Sequence, residues 1–278
     1  MTASTLPDKA AVLAAFKDTP EGRVVVHAFD KLGSTSGWLG ARRSKVQTQL
    51  ENGCAEICVT DWQQAGVGRR GKTWQTRPGN ITFSLLQRLH SPAQNLLGLS
   101  LVTGIAVSDV LEETLGLKAM LKWPNDVIHQ DRKLGGLLTE LVAGNGERAE
   151  ARPFTDVITG IGLNVFHDDA VSAMGLGATS LHAAGCEIDQ HERDKIVGRI
   201  AACVMDLHKV FVDEGWAAFQ ESWVKRDWLV NKPVSVIREK STEHAVARGV
   251  NEQGALLVES AGTLSPLYGG NVSIRPSA

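Results

Sequence analysis

The segment from residue 95 to residue 115 constrains the fold most, because it is a long helix pattern with apolar residues on both faces. Two series of apolar residues recur in it every four positions: Leu97, Leu101 and Ile105, then Val107, Leu111 and Leu115. This spacing is typical of an α-helix, and Gly116 is a suitable residue to end one. Because a surface helix is apolar on one face only, we expect this helix to be buried.

Further helices and a series of strands surround this segment. A second long helix is predicted over residues 190–214, where Asp189 and Glu192 have the spacing of a capping box. Shorter helices are predicted over residues 8–17 and around the tryptophan-rich residues 216–223. Runs rich in apolar and β-branched residues predict strands at residues 23–29, 56–60, 81–86, 119–122, 127–128, 137–142 and 154–165.

The pattern changes after residue 231, where short strands follow one another without a helix between them. They are predicted at residues 234–238, 244–250, 255–259 and 272–275. About 45 residues of this kind are typical of a small β-barrel. We therefore predict an α+β chain in three parts: an N-terminal stub (1–24), a catalytic-sized domain (25–230) and a C-terminal β-cap (231–278).

The composition excludes several classes of protein. The 278 residues contain 29 Lys and Arg against 31 Asp and Glu, so the overall charge does not indicate a nucleic-acid partner. No apolar run is long enough to span a bilayer, and the N-terminus does not resemble a signal peptide. The four cysteines form no Cys-x-x-Cys pair: Cys54, Cys58, Cys186 and Cys203. We predict reduced thiols and a cytoplasmic protein without a membrane partner.

Residues 63–74 are the most informative for function, and they read Gln-Gln-Ala-Gly-Val-Gly-Arg-Arg-Gly-Lys-Thr-Trp. Glycines interspersed with cations can surround an anion with backbone N–H groups and positive side chains. Residues 66–73 also match the phosphate-binding pattern G-x-x-x-x-G-K-T, which requires a helix that begins at the Lys-Thr pair. The following residues favour a turn and then a strand, so this interpretation is rejected. A plain surface loop remains the alternative.

Three further segments favour the same chemistry. Residues 122–126 read Lys-Trp-Pro-Asn-Asp and predict a rigid turn that carries a cation, an amide and a carboxylate. Lys133 precedes Gly135 and Gly136, where a bare backbone would let a flat ligand lie below the ammonium group. Residues 160–164, Gly-Ile-Gly-Leu-Asn, place an amide at a strand end. Taken singly, these segments are also consistent with an ordinary turn, a solvated hairpin tip and a plain strand end.

Taken in order, these segments resemble the biotin–protein ligase family, in its short form without an N-terminal DNA-binding domain. The likeness extends over about residues 25 to 276 and includes residues 30–36, 251–257 and 266–275. It implies a class II synthetase-like catalytic domain with a mixed β-sheet and helices, followed by a small SH3-like β-barrel. It also implies that ATP activates biotin to biotinyl-5′-AMP and that biotin is transferred to a lysine of a biotin carboxyl carrier domain.

The resemblance also implies roles for individual residues. The biotin site would comprise Ser34, Thr35, Ser36, Gln63, Gly66, Val67, Gly68, Arg69, Lys133 and Gly135. Of these, Ser34, Thr35 and Gln63 would bond the ureido head of biotin. The nucleotide site would comprise Trp74, Lys122, Asn125, Asp126, Asn164 and Arg275, with Trp74 and Asn164 beside the adenine. Lys133, Arg69 and Arg70 would be catalytic, with Lys133 between the biotin carboxylate and the α-phosphate. Mg²⁺ would accompany ATP near Asp126.

Two positions depart from the family pattern. Val67 stands where an arginine is usual, and Ser36 where an asparagine is usual. The departures put tight retention of the adenylate in question. Alternative functions are a lipoate-type ligase, a non-catalytic biotin-binding module and a biotin-responsive repressor. Fewer than thirty residues precede the first predicted strand, which is too few for a helix-turn-helix unit, so specific DNA binding is not expected.

Overall fold

A computed structural model describes residues 5–17, 23–144, 153–166, 177–239, 241–269 and 272–277. Its largest element is a seven-stranded sheet with the strand order β1-β2-β5-β9-β8-β7-β6. Its strands are β1 (Val24–Leu32), β2 (Ala55–Gln63), β5 (Ile81–Leu89), β6 (Met120–Lys122), β7 (Asp126–His129), β8 (Arg132–Gly144) and β9 (Phe154–Leu163). β1 runs parallel to β2, and the other neighbours are antiparallel. The sheet is therefore mixed, as expected. The short strands β3 (Gly66–Val67) and β4 (Thr73–Trp74) form a separate hairpin.

Within the described ranges, six α-helices accompany the sheets: α1 (Lys9–Leu13), α2 (Thr35–Arg42), α3 (Gln47–Glu51), α4 (Leu99–Leu115), α5 (Gln190–Glu214) and α6 (Gln220–Val224). The predicted burial of α4 is confirmed, because most of its side chains are buried in the main core. It begins four residues later than predicted, since Gly98 has a left-handed backbone and Leu97 is exposed. The limits of α5 and its capping box of Asp189 and Glu192 are confirmed.

One stretch predicted as a loop is a strand. Residues 129–136 were expected to connect two strands, but β8 begins at Arg132 and pairs with β7 from its first residue. The turn is confined to Gln130 and Asp131, which both have positive φ angles. The register of this hairpin shifts between Val127 and Ile128. Such a bulge lets a strand continue through an irregular apolar pattern, so periodicity alone did not reveal it.

The C-terminal residues form a five-stranded antiparallel sheet, in the order β13-β12-β11-β10-β14. Its strands are β10 (Pro233–Ile237), β11 (Thr242–Val250), β12 (Leu256–Ser260), β13 (Thr263–Leu267) and β14 (Ser273–Pro276). No ladder joins β13 to β14 within the residues that the structure describes, so the sheet is open there. The division of the chain at residue 231 stays a prediction.

The two sheets meet through backbone contacts near the start of α4. The Nε1 atom of Trp123 donates a hydrogen bond of 3.1 Å to the carbonyl oxygen of Gly254. A β-carbon at Gly254 would lie 3.1 Å from the Cα atom of Gly98, so the two backbones approach closely. Both glycines have left-handed φ angles, which side-chain-bearing residues rarely adopt. This junction therefore requires glycine on both sides.

A buried ion network connects the sheet with the helices on its α2–α3 side. Asp156 on β9 accepts hydrogen bonds from Arg88 at 2.7 and 3.1 Å and from Arg43 at 2.9 Å. The Asp156 and Arg88 side chains are almost completely buried. The Arg88 guanidinium also lies 3.7 Å from the ring centroid of Phe154. Each buried charge therefore has an opposite charge and hydrogen-bonding partners.

In the described parts of the chain, no helix has both the length and the apolar character needed to cross a membrane.

Candidate functional site

The glycine-arginine segment folds as a small hairpin. Gly66 pairs with Trp74 and Val67 with Thr73, and Arg69–Gly71 form a 3-10 turn between them. Strand β4 follows the turn, so the helix that the phosphate-binding pattern G-x-x-x-x-G-K-T requires is absent among these described residues. Val67 is 52% exposed at the hairpin surface.

Gln63, at the end of β2, forms hydrogen bonds with the first turn of α2. Its Oε1 atom accepts from the Thr35 backbone N–H at 2.9 Å and from the Thr35 hydroxyl at 3.1 Å. The backbone of Gln63 is held by Thr76, whose hydroxyl accepts from its N–H and donates to its carbonyl oxygen. Ser34 caps α2 by accepting a 3.2 Å hydrogen bond from the Gly37 N–H. The structure therefore brings together the residues proposed to recognise the ureido head.

A second group places two ammonium groups on one carboxylate. Asp126 accepts a 2.5 Å hydrogen bond from Lys133 and a 3.1 Å hydrogen bond from Lys122. Burial raises the pKa of Asp126, but the two neighbouring lysines more than offset this and hold the pKa below its usual value. Asp126 is therefore a carboxylate at neutral pH, and its hydrogen bond holds the Lys133 side chain in place.

The Trp74 indole packs against the backbone of Gly136 and Gly162, two residues without a side chain. A β-carbon on Gly162 would lie 2.6 Å from the Trp74 Nε1 atom, and one on Gly136 would lie 3.1 Å from the indole ring. Lys133 Nζ is 5.4 Å from the centroid of the same indole. Of the two glycines after Lys133, only Gly136 faces this indole, whereas a β-carbon on Gly135 would meet the Leu163 side chain and the Gly162 carbonyl oxygen. The flat ring beside the Lys133 ammonium group is therefore Trp74 of the chain itself.

Asn164 and residues 177–181 form the wall beside Lys133. The Lys133 N–H donates to the Gly177 carbonyl at 3.0 Å, and the Thr179 N–H donates to the Lys133 carbonyl at 2.9 Å. Asn164 Nδ2 donates to the Thr179 carbonyl at 3.0 Å. This amide therefore positions backbone in the structure, and its predicted contact with adenine stays a prediction.

A cleft of about 420 Å³ opens beside these groups. It is lined by Gln63, Trp74 and Asn164 together with residues from the loop between β4 and β5. It thus joins the proposed ureido and adenine residues along one surface. An elongated ligand with a polar ring at one end and an aromatic ring at the other would match this arrangement.

The arginines of the hairpin turn toward the C-terminal sheet. Arg69 donates to the Asn125 side-chain oxygen at 3.3 Å and to the Gly269 carbonyl, and Arg70 donates to the Ser273 hydroxyl at 3.0 Å. Burial lowers the pKa of Arg69, and the charge of Asp126 acts in the opposite direction. Arg275 pairs with Ser235 in the β10–β14 ladder, and its exposed side chain forms no hydrogen bond or ion pair with any described residue, so its predicted role at the nucleotide stays a prediction.

Three residues of this region were missed at the sequence level. Ser84 bonds the hydroxyls of Thr35 and Ser36, Thr76 holds the Gln63 backbone, and Thr179 pairs with Lys133. Hydroxyl residues are common in strands and loops, and their spacing here carries no motif. Their contacts become visible only in the folded structure, which brings separate segments of the chain together.

Arranged in this way, the residues can bind an anion and stabilise charge on it. Lys133 and Lys122 share one counter-charge, so one net positive charge remains for an incoming carboxylate or phosphate. Preorganised cations of this kind stabilise charge that develops on a phosphoryl group in the transition state. Within the described residues, no group of three or more His, Cys, Asp or Glu side chains is placed to hold a metal ion.

Comparison with known proteins gives consistent results. Residues 43–152 match the model of the biotin/lipoate A/B protein ligase family. The chain is similar to the bifunctional ligase/repressor BirA of Escherichia coli, with 35% identity over 82% of this chain and 68% of that protein. It is 28% identical to the biotin–[acetyl-CoA-carboxylase] ligase of Paracoccus denitrificans over 70% of this chain and 80% of that one. A mutant biotin protein ligase from Aquifex aeolicus, solved in complex with biotin, superposes with a TM-score of 0.70 at 25% identity, covering 91% and 98% of the two chains.

Proposed function

Because this chain belongs to the biotin–protein ligase family, we propose that its cleft and its paired lysines carry out the two steps of that family's reaction. The chain is an ATP-dependent, AMP-forming biotin ligase, and it transfers biotin to a carboxylase. The observation that supports the assignment to this site is the position of Lys133. Its Nζ atom bonds Asp126 and lies 5.4 Å from the ring centroid of Trp74, which lines the cleft together with Gln63.

In the first step a biotin carboxylate oxygen attacks the α-phosphorus of ATP, and pyrophosphate leaves. A carboxylate is a poor electrophile, so this step converts it to a mixed anhydride. Lys133 stabilises the charge that develops on the α-phosphate, and Arg69 and Arg70 lie on the hairpin beside it. In the second step the acceptor ε-amine attacks the biotinyl carbonyl carbon, AMP leaves, and the amine loses a proton. Neither step needs a covalent bond to the enzyme.

The individual contacts with ligand are proposals. The ureido ring of biotin would bind Ser34, Thr35, Ser36 and Gln63, and its chain would pass Gly66, Val67, Gly68 and Gly135. The nucleotide would lie near Trp74, Lys122, Asn125, Asp126, Asn164 and Arg275. Mg²⁺, which neutralises phosphate charge when bound, would be held mainly by ATP and water, with the ionised Asp126 nearby.

The partner and compartment are also proposals. The acceptor would be the biotin carboxyl carrier domain of a carboxylase in the cytoplasm, where the four free thiols stay reduced. The absence of specific DNA binding stays a prediction. Among the described residues before β1, Val12 and Phe16 are part of the main core. The Asp8 N–H donates to buried Asp194 of α5 at 2.7 Å.

We expect the purified protein to label a biotin carboxyl carrier domain covalently when labelled biotin and MgATP are supplied. Lipoate should not replace biotin, because the cleft presents the amide of Gln63 to a polar ring. Mass spectrometry should locate the label on one lysine, and a carrier with that lysine changed to arginine serves as the control. If a known ligase labels the same carrier preparation and this protein does not, the enzymatic assignment fails and a non-catalytic biotin-binding module remains.

Val67→Arg should slow the release of biotinyl-5′-AMP about tenfold. The exposed Val67 side chain offers the ligand no charged contact, whereas a charge-assisted hydrogen bond contributes roughly 1.5–3 kcal/mol. Stopped-flow measurement of adenylate release after a biotin chase tests this. Leu97→Arg adds the same charge at an exposed apolar residue outside the site and should leave release unchanged. Unchanged or faster release in Val67→Arg would show that only the backbone at residue 67 matters.

A further inference from the structure

Ser84 lies at the centre of β5 and connects two residues of the proposed biotin site. Its side chain is fully buried, and its Oγ atom is 2.7 Å from the Thr35 hydroxyl and 3.0 Å from the Ser36 hydroxyl. We propose that Ser84 is a positioning residue that fixes the direction of the hydrogen bonds in this site and so makes it selective for a ureido ring. The inference rests on the proposed function, which supplies the ligand.

The directions of these hydrogen bonds can be assigned from the Thr35 backbone N–H, which can only donate. The Thr35 backbone N–H is 2.9 Å from one atom of the Gln63 amide, which must therefore be the oxygen Oε1. The Thr35 hydroxyl lies 3.1 Å from the same oxygen. An amide oxygen cannot donate, so the hydroxyl must use its single proton there. Gln63 Oε1 therefore accepts two hydrogen bonds from Thr35, one from its backbone N–H and one from its hydroxyl.

The remaining directions follow one after another. Since the Thr35 hydroxyl has no second proton, it can only accept from Ser84, and the Ser84 proton points toward Thr35. Ser84 can then only accept from Ser36, so the Ser36 proton points inward as well. The four groups form one directed series, from Ser36 through Ser84 and Thr35 to Gln63.

The direction of this series determines which hydrogen-bonding groups a ligand would contact at its two ends, Gln63 and Ser36. Gln63 Nε2, which bonds no residue that the structure describes, presents N–H donors from a side chain that lines the cleft. Ser36 presents only lone pairs, because its proton is used by Ser84. A β-carbon on Gly160 would lie 2.9 Å from the Ser36 Oγ atom, so the glycine lets this half-buried hydroxyl lie against the β9 backbone. A ring with a carbonyl oxygen and flanking N–H groups complements both ends.

Removing the Ser84 hydroxyl frees the Ser36 proton. In the Ser84→Ala protein, Ser36 can rotate and donate outward, so the site no longer distinguishes a ring N–H from a ring oxygen at that position. The Thr35–Gln63 contacts do not involve Ser84 and should persist. Biotin affinity should therefore change little, whereas selectivity should change.

The test compares biotin with its two cyclic carbamate analogues, in which one or the other ring N–H is replaced by oxygen. Equilibrium binding to the full-length protein is measured for each. The wild type should bind at least one analogue about 10- to 100-fold more weakly than biotin, because two acceptors then face each other. In Ser84→Ala that ratio should fall about tenfold, while the rate of adenylation from saturating biotin stays near the wild-type value.

Two further variants separate hydrogen-bond direction from packing. Ser84→Cys fills the same space with a weak donor and acceptor, so its selectivity should also fall. Thr159→Val removes another buried hydroxyl from the sheet, one with no hydrogen-bond partner among the described residues, and should keep the wild-type ratio. Wild-type selectivity in Ser84→Ala or Ser84→Cys would overturn the inference. Failure of the wild type to bind biotin at all would instead overturn the proposed function.

Discussion

Lys133→Ala should lower the rate of biotinyl-5′-AMP formation by about 100-fold or more, which is the usual effect of removing one strong transition-state donor. The ammonium group is 2.5 Å from Asp126 and lies beside the Trp74 ring and the bare backbone of Gly136. Folding should be nearly unaffected. The backbone of residue 133 keeps both its hydrogen bonds to residues 177–179, and Asp126 keeps Lys122 as its counter-charge.

Pyrophosphate release in a single turnover measures this step directly, without the carrier domain. Lys118→Ala is the matched control, because Lys118 is largely exposed and the one ion pair it forms with a described residue is a 3.9 Å contact with Glu112. That variant should react at the wild-type rate. Equal rates of pyrophosphate release in the Lys133 and Lys118 variants would mean that Lys133 is a solvated strand residue without a role in adenylation.

Asp156→Ala should destabilise the fold by about 3–5 kcal/mol, because it removes the buried carboxylate from the buried Arg88 side chain and leaves a 3.5 Å contact with the exposed Glu51 as its only ion pair among the described residues. Burial raises the pKa of Asp156, but Arg88 and Arg43 more than offset this and hold the pKa below the usual 3.8. The stabilisation is therefore present above that value and is lost as the pH falls through the lowered pKa of the folded state. The difference between variant and wild type should accordingly shrink in acid.

Denaturant unfolding at neutral pH measures the loss. Glu259→Ala is the control, since it breaks the ion pair with Arg248, in which both side chains are well exposed. Such pairs contribute at most about 1 kcal/mol. A loss in Asp156→Ala no larger than that of the control would mean that Arg88 finds other partners, for example the Phe154 ring or Gln47.

Elements with regular apolar spacing were predictable from the sequence, and elements with poor intrinsic propensity were not. The burial of α4 and both ends of α5 follow from periodicity and from the capping box at Asp189. α2 was missed although Ser34 caps it, because Gly37 and Gly40 lower its helix propensity within only eight residues. Its stability comes from packing on the sheet, which spacing along the chain does not reveal.

The site was predictable where a motif concentrates unusual residues in a short segment. Residues 122–126, Lys133 and the glycines after it suggested an anion site, and the structure brings them together. The contacts of Arg69 and Arg70 with residues 269 and 273 were not predictable, since about 200 positions separate the partners. Ser84 was missed because its partners Thr35 and Ser36 lie 49 and 48 positions away in the sequence.

The paired glycines at the boundary between the two sheets restrict how this enzyme can be re-engineered. Gly98 and Gly254 touch backbone to backbone, and the Gly254 carbonyl also receives the Trp123 indole N–H. A C-terminal segment transplanted from another protein would need glycine at the position of Gly254, with the same left-handed backbone. A fragment ending before Pro233 would expose the Trp123 N–H, and it would remove the Gly269 acceptor of Arg69 and the Ser273 acceptor of Arg70. The C-terminal sheet therefore cannot be exchanged independently of the larger sheet and its helices. A C-terminal segment from another protein should be accepted only when it keeps the contacts with Gly98, Trp123 and the two hairpin arginines.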